Sequence, residues 1–365
     1  MTDTHAPSPG WTDPQRIRFT GSGSEYFRIW IVNLLLMLLT VGIYYPWAKA
    51  RRLRYFHANT HIGAHAFSFE AQGGSMLRGF AVMALLFLAV SFSGELSVVF
   101  GLLAAGLLVA AGPLLLRLSL QFRMSQTRWR GLRFGFDGTL RQAAWAASLA
   151  LAFGLCVLVA PMLDRATATQ PSNALAVLSA VVGIVLLCLL PFLPMAHRAL
   201  LAYRQGHIRY AGQGSRFSAT VGAFYTPVLK CAVLGFAVTL LALPIRTPWL
   251  LVPLGAIAWS LAQAIWQAGI QNTVWSNTHM PQVAVRSDLD STELAWRYIL
   301  NGLGLVVTLG LYWPFAAVAT ARLRLGAVSV SFGPDFERSI AEPVQAVDNA
   351  SGDAAADLAG FDLGL

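Results

Sequence analysis

Eight stretches of the chain are apolar over enough residues to cross about 30 Å of hydrocarbon at about 1.5 Å per residue. They run over Phe27–Trp47, Met76–Ser93, Leu96–Leu116, Gln142–Leu163, Ala174–Ala196, Ala219–Leu243, Trp249–Gly269 and Leu294–Phe315. Only "SGE" separates the second from the third, which predicts a tight helical hairpin. A second pattern lies between these stretches. "RIRFT" at Arg16, "HAFSFE" at His65, "LRFGFD" at Leu132, "VAVRSD" at Val283 and "VSVSF" at Val328 alternate in the manner of half-buried strands. Isolated strands do not hold in water, so these predict one small sheet against the membrane face. The expected fold is mainly α and polytopic, with about eight apolar helices in repeated two-helix units and short β-strands in the cytoplasmic loops. Residues 1–24 read as a polar segment with a short strand, 25–333 as the transmembrane domain, and 334–365 as an acidic, disordered tail.

Cations assign sides. Lys49, Arg51, Arg52 and Arg54 follow the first stretch; Arg123, Arg128, Arg130, Arg133 and Arg141 follow the third; Arg198, Arg204, Arg209 and Arg216 follow the fifth. The intervening links carry Glu95, Asp164 with Arg165, and Arg246. An excess of Lys and Arg marks cytoplasmic loops. The ends then conflict with a simple count. Eight full crossings put both termini outside, yet Arg16 and Arg18 precede the first stretch and Arg322 and Arg324 follow the last. Either those arginines are tolerated outside, or the first and last stretches dip into the bilayer and return. Each contains a Thr-x-Gly break and a Pro: Thr40, Gly42 and Pro46; Thr308, Gly310 and Pro314. Terminal strands that join a cytoplasmic sheet would favour the returning form.

The two end stretches align without gaps at an offset of 268 residues. Glu25 falls on Glu293, Asn33 on Asn301, Thr40 on Thr308, Gly42 on Gly310, Tyr44 on Tyr312 and Pro46 on Pro314. The loops repeat as well: "NTHIGAHAFSFE" at Asn59, "QTRWRGLRFGFD" at Gln126, "NTHMPQVAVRSD" at Asn277 and, more weakly, "RYAGQGSRFSAT" at Arg209. Such repeats underlie many transporter folds, and plain scaffolds too. The opening "RFTGSGSEYFRIWIVNLLLMLLTVGIYYPWAKARRLRYFHANT", followed by "FSFEAQGGSMLRG", resembles the YjgN-like family of bacterial inner-membrane proteins. The later "RGLRFGFDG" and "WSNTH" fit that family's repeated loop. The resemblance extends to about Phe332. It weakens in the loop after the fifth stretch, where the Asn-Thr turn is lost, and after Pro314, where fewer cations follow. It implies a multi-pass inner-membrane location and carries no catalytic residues with it.

Composition sharpens the class. The chain is 56% hydrophobic and only 12% charged, against about a quarter charged in soluble domains. Its formal net charge of +9 includes seven acids against Arg338 alone from Asp335 onward. The remaining cations sit in short loops, which suits anionic lipid as partner and not nucleic acid. Cys156, Cys188 and Cys231 lie in apolar stretches without metal or redox spacing. The first fifteen residues are polar, so no cleavable signal peptide is expected.

Candidate chemistry is sparse. Asn33 and Asn301 are amides inside apolar stretches, suited to helix contacts or to a pore together with Thr40, Thr308, Gly42 and Gly310. Lys230 is the lysine within a span, either functional or extended to the interface. His57, His61 and His65 have helical metal spacing, but Asn59-Thr60 and Gly63 interrupt the helix. Lys49, Arg51, Arg52, Arg54, Arg128, Arg130 and Arg133 read as head-group or topology cations, and Tyr44, Trp47, Tyr312 and Trp313 as interfacial anchors. With no catalytic motif, no enzyme and no cofactor are expected. Two functions are: a channel or transporter-like protein for a small solute or lipid, and a non-catalytic scaffold that organises anionic lipid.

Overall fold

The computed structural model describes residues 10–169 and 172–341. From the N-terminal side come β1 (Gln15–Arg16), β2 (Arg18–Phe19), α1 (Gly23–Leu39), α2 (Tyr45–Ala58), β3 (Thr60–Ile62) and β4 (His65–Phe69). Next are α3 (Gly73–Leu96), α4 (Val98–Ser125), β5 (Thr127–Trp129), β6 (Leu132–Arg133) and β7 (Gly135–Phe136). The middle holds α5 (Leu140–Thr169), α6 (Asn173–Leu189), a 3-10 turn at Leu190–Phe192, α7 (Leu193–Gly206), β8 (Ile208–Tyr210), β9 (Gln213–Gly214) and β10 (Arg216–Phe217). The last third holds α8 (Val221–Ala242), α9 (Pro248–Ser276), β11 (Thr278–Met280) and β12 (Val283–Ser287). It ends with α10 (Ser291–Val307), α11 (Trp313–Gly326), β13 (Val328–Phe332) and α12 (Phe336–Ala341). The start of the expected acidic tail is thus the helix α12; the remainder lies outside the described residues.

Among the described residues, six helical segments are long and apolar enough to cross a membrane. They are Gly73–Ser93, Val99–Ser125, Leu140–Ala168, Asn173–Gly206, Val221–Ala242 and Trp249–Ser276. The first and last apolar stretches are different. Each is two shorter helices, α1 with α2 and α10 with α11, between which the chain reverses. The reversal is shown at the open ends: Thr20 donates its N–H to the Asn59 carbonyl at 2.9 Å, and Asp288 donates to Ala327 at 3.0 Å. A single crossing helix could not bring those residues together.

The chain divides into two compact units. One takes residues up to Glu70, Gln126–Phe134 and Arg209 onward; the other takes Ala71–Ser125 and Gly135–Ile208. In the second unit α4 packs on α5 and α5 on α7, around buried Leu116, Leu120, Ala143, Ala147 and Tyr203. In the first, α8 packs on α9, α9 on α10, and α1 on α11. Side-chain N-caps start both short hairpins. The Ser22 hydroxyl accepts the Glu25 N–H at 3.2 Å, and the Asp290 carboxylate accepts those of Thr292 and Glu293.

The strands of the first unit form an arc. Its order runs β6, β5, β4, β3, β2, then from β1 through β13, β12 and β11 to β10. β1 and β2 flank Ile17 and together make one terminal strand with a partner on each side. Four hairpins share one plan, a two-residue turn between paired positions: Ile62 with His65, Trp129 with Leu132, Tyr210 with Gln213, and Met280 with Val283. In the second and third, both turn residues have positive φ (Arg130 50° and Gly131 80°; Ala211 49° and Gly212 74°), the twist a tight antiparallel hairpin favours. The residue before each turn points inward. Ile62, Trp129 and Tyr210 are buried in one cluster with Ile17, Val328, Val330 and Phe336, and Met280 packs against it. Tyr210 of β8 joins this cluster to the β5–β6 hairpin, with Phe134 stacked on it at 4.6 Å and its hydroxyl donating to the Trp129 carbonyl at 3.0 Å. All of these strands lie in or beside the basic loops.

Candidate functional site

The two short hairpins have the same reversal. In the first, the Thr40 hydroxyl donates back to the Leu36 carbonyl at 2.7 Å and accepts the Tyr44 N–H at 3.0 Å. Gly42 donates to Met37 at 2.8 Å. In the second, Thr308 bridges Gly304 and Tyr312 at 2.7 and 2.9 Å, and Gly310 donates to Leu305 at 2.8 Å. These are Schellman-type helix ends. The glycines sit at φ 87° and 92°, where a side chain is strained, and the preceding Val41 and Leu309 are both left-handed at φ 50°. Thr40, Gly42, Thr308 and Gly310 are therefore the parts of a turn.

Left-handed Val and Leu cost about 1–2 kcal/mol apiece, and glycine or asparagine would avoid much of that cost. Packing does not hold them there. Val41 is 91% and Leu309 94% exposed, and Leu39 and Val307 beside them are 79% and 82% exposed. Each reversal is a bare apolar tip.

Asn33 and Asn301 are 5% and 6% exposed, and each bonds to the returning helix of its own hairpin. The Asn33 carbonyl accepts from Arg51 at 3.4 Å; the Asn301 amide donates to the Thr320 hydroxyl at 3.1 Å and to the Ala316 carbonyl at 3.4 Å. Between hairpins, α1 meets α11 through aromatic rings. Trp313 lies 6.0 Å from Tyr26 and 6.1 Å from Trp30, and Phe315 lies 5.9 Å from Phe27. A Cβ at Gly23 would collide with the Phe315 ring, so glycine sets that approach. The Arg52 guanidinium covers the Trp313 face at 5.4 Å. Tyr44 stacks on Trp47 at 5.8 Å under Arg51, and Tyr312 on Phe315 at 5.6 Å. The four anchor aromatics thus gather next to the reversals.

The remaining cations divide. Lys49 half-emerges from α2, on which Arg51, Arg52 and Arg54 are exposed. Arg128 and Arg133, in contrast, both reach Glu70, at 2.8 and 3.9 Å. Arg130 grips Glu337 of α12 with two hydrogen bonds of 2.8 and 3.0 Å. Lys230 lines a cavity of about 280 Å³ with Thr226 and Pro227 of α8 and Gly269 and Asn272 of α9. Of the three histidines, His57 bonds the Leu53 carbonyl at 2.8 Å while His61 and His65 lie on β3 and β4. Among the described residues no three His, Cys, Asp or Glu side chains are grouped to hold a metal.

Two features escape a sequence reading. Arg117, one residue past the expected end of the third span, lies within α4, and its Nε is buried without a hydrogen bond. At the base of the second hairpin, Arg16, Asp288, Asp290, Glu293, Arg297 and Arg322 surround a cleft of about 560 Å³. Only the correspondence between hairpins points to it, since Glu293 answers to Glu25 and Arg322 to Arg54.

Docking of α12 through the Arg130–Glu337 pair is expected to depend on pH. The guanidinium hydrogen bond holds the Glu337 carboxyl below the usual range. A group with a lowered value in the folded state stabilises docking above its free value, about 4.3, and loses that contribution as the pH falls through the lowered value. A nitroxide on Ala341→Cys, in a background free of the three native cysteines, should be restrained at pH 7 and mobile under acid. Arg130→Ala should give the mobile spectrum at pH 7; an unchanged spectrum would show that Phe336 alone holds the helix.

Six crossing segments, two reversing hairpins and a layer of short strands define an α-helical polytopic membrane protein. The chain belongs to the family described as "Bacterial protein of unknown function (DUF898)", which matches residues 14–358. Among its curated relatives is the "Inner membrane protein YjgN" of Salmonella typhimurium strain LT2, 33% identical over 133 residues, which are 35% of this chain and 32% of that protein. The proteins of the same name from Escherichia coli O157:H7 and strain K12 are 29% and 28% identical over 174 residues, 46% of this chain and 44% of theirs. The chain thus aligns with less than half the length of these relatives. No solved structure matches it. Location follows: a multi-pass protein of the inner membrane.

Proposed function

We propose that this protein is a non-catalytic organiser of membrane lipid, with α1–α2 and α10–α11 inserted halfway into the bilayer from the side of the basic loops. The bare, strained, apolar tips carry the reading: in water glycine or asparagine would serve these left-handed positions at lower cost, whereas hydrocarbon contact favours an apolar side chain there. Length agrees. The uncharged part of α1 beyond Arg28 is eleven residues, about 16 Å, or half of the hydrocarbon thickness. Exposed Arg51, Arg52 and Arg54 then lie at the level of head groups, where each cation near an anionic surface gains about 1 kcal/mol. Asn33 and Asn301, spent on bonds within their hairpins, weigh against the pore reading.

Nitroxides at Val41→Cys and Leu309→Cys report depth. The expected result is maximal collision with oxygen, minimal collision with an aqueous nickel chelate, and no reaction with an impermeant thiol reagent from the periplasmic face. Labelling from that face would mean full crossing and would sink the proposal. Efflux of a trapped small solute from reconstituted vesicles, lost in Asn33→Leu with Asn301→Leu, would restore the transport reading.

A further inference from the structure

The charged cleft at the base of α10–α11 has a counterpart position in the first hairpin, and the two differ in one decisive way. At the base of α1–α2, Tyr55 fills the space. Its hydroxyl accepts the Ser22 N–H at 2.9 Å, and lies 2.9 Å from the Ser22 carbonyl and 3.2 Å from the Glu25 carboxylate. The residue at the Tyr55 position of the second hairpin is Leu323, which cannot bond to anything there. Ile29 is replaced by Arg297. The result is an open cleft of about 560 Å³ lined by the Glu293 carboxylate and by the guanidinium groups of Arg297 and Arg322, the last of them partly engaged.

The lining is balanced. Arg16 is engaged by Asp288 at 2.9 Å and by the Gly326 carbonyl at 3.2 Å. Asp290 is engaged in capping α10, and those N–H bonds hold its carboxyl below the usual range. Arg322 gives one Nη to the Gly21 carbonyl at 2.9 Å and keeps its other N–H groups. What remains for a ligand is two guanidinium groups, Arg297 and Arg322, and one carboxylate, Glu293. Guanidinium groups favour the oxygens of a phosphate, and the carboxylate favours an ammonium. A purely anionic head group would leave Glu293 facing like charge.

We infer that this cleft binds a phosphate ester carrying a primary amine on a short linker, the head-group chemistry of an aminophospholipid, with phosphate on Arg297 and Arg322 and ammonium on Glu293. The inference deepens the lipid-organising reading, and its membrane source rests on that reading. The chemistry itself can be tested apart from insertion.

The full chain in detergent is exposed to dioleoyl phosphatidylethanolamine, phosphatidylglycerol or phosphatidylcholine, and retained lipid is counted by native mass spectrometry. Soluble phosphoethanolamine is titrated in parallel by calorimetry. The wild type should retain the ethanolamine lipid about tenfold over the other two, the factor expected for one charge-assisted hydrogen bond. Leu323→Tyr rebuilds the filled base of the first hairpin and should abolish that preference. Glu293→Gln, a change at an exposed position that keeps the size of the side chain, should erase the ethanolamine-over-glycerol preference even if Leu323→Tyr fails to fold. Retention of the lipid without binding of the soluble ester assigns a membrane source, and equal binding of the soluble ester assigns a soluble one. Equal retention of all three lipids, or a preference untouched by Glu293→Gln, overturns the proposal whether or not the hairpin tips are found at depth.

Discussion

Val41→Asp together with Leu309→Asp should release both short hairpins from the bilayer. An aspartate at mid-depth costs about 2.5–3.5 kcal/mol, so the pair removes about 5–7 kcal/mol from insertion. No folded-state contact is lost in exchange, because both side chains are almost wholly exposed. The expected result is protein whose six crossing segments remain integrated while labels beside the tips move from the oxygen-rich to the aqueous environment. Val41→Gly with Leu309→Gly is the control. It removes the left-handed strain without adding charge, so the turn should become more stable while apolar anchoring weakens only modestly. Equal depth in the aspartate and wild-type proteins would mean that the tips never met lipid.

Trp129→Ala should be the most damaging single truncation in the strand layer. Its ring is 4% exposed and lies among Phe332 at 5.6 Å, Tyr210 at 5.8 Å, Phe67 at 6.0 Å and Phe336 at 6.1 Å. Its indole N–H donates to the His65 carbonyl at 3.2 Å, a bond that truncation also removes. Replacing such a tryptophan by alanine costs about 3–5 kcal/mol. The loss falls where several strands converge, and every strand there is five residues or shorter, so none can compensate. Thermal aggregation in detergent should begin at a markedly lower temperature. Trp145→Ala, which removes a ring 77% exposed, should leave that temperature nearly unchanged. Similar behaviour of the two variants would show that the membrane helices alone set stability.

The alternating strands were legible because period-two patterning survives even in five residues, as at "HAFSF" and "VAVRS". Their partners were not. β3, β5, β8 and β11 are three residues each, too short for alternation to register, and two of them begin inside stretches that read as Asn-Thr turns. The asparagines there act locally. Asn59 and Asn277 bond back to the carbonyls of Tyr55 and Thr273, at 2.8 and 2.7 Å, and start each hairpin at a fixed distance from its helix. Reversal of the end segments was visible as one of two readings, since Gly and Pro are common in crossing helices too. What decides it is backbone conformation at Val41 and Leu309, residue types that give no hint of a left-handed turn. Arg128, Arg130 and Arg133 looked like lipid cations because Glu70 and Glu337 lie far along the chain from them. The cleft was hidden for a related reason: a leucine in place of a tyrosine signals nothing until both hairpins can be compared at their bases.

The terminal strand has a consequence for biogenesis. β1 pairs Gln15 with Val330 and Arg16 with Ser329, so residues that leave the ribosome early wait for partners made long afterwards. Until β13 is synthesised, β1 and β12 each expose an unpaired edge. Contacts at this sequence separation form slowly. Completion of the strand layer is therefore a late step, taken after all six crossing segments have been made, and a chain that stops short of Val328 keeps both edges open to chaperones, proteases or another copy of itself.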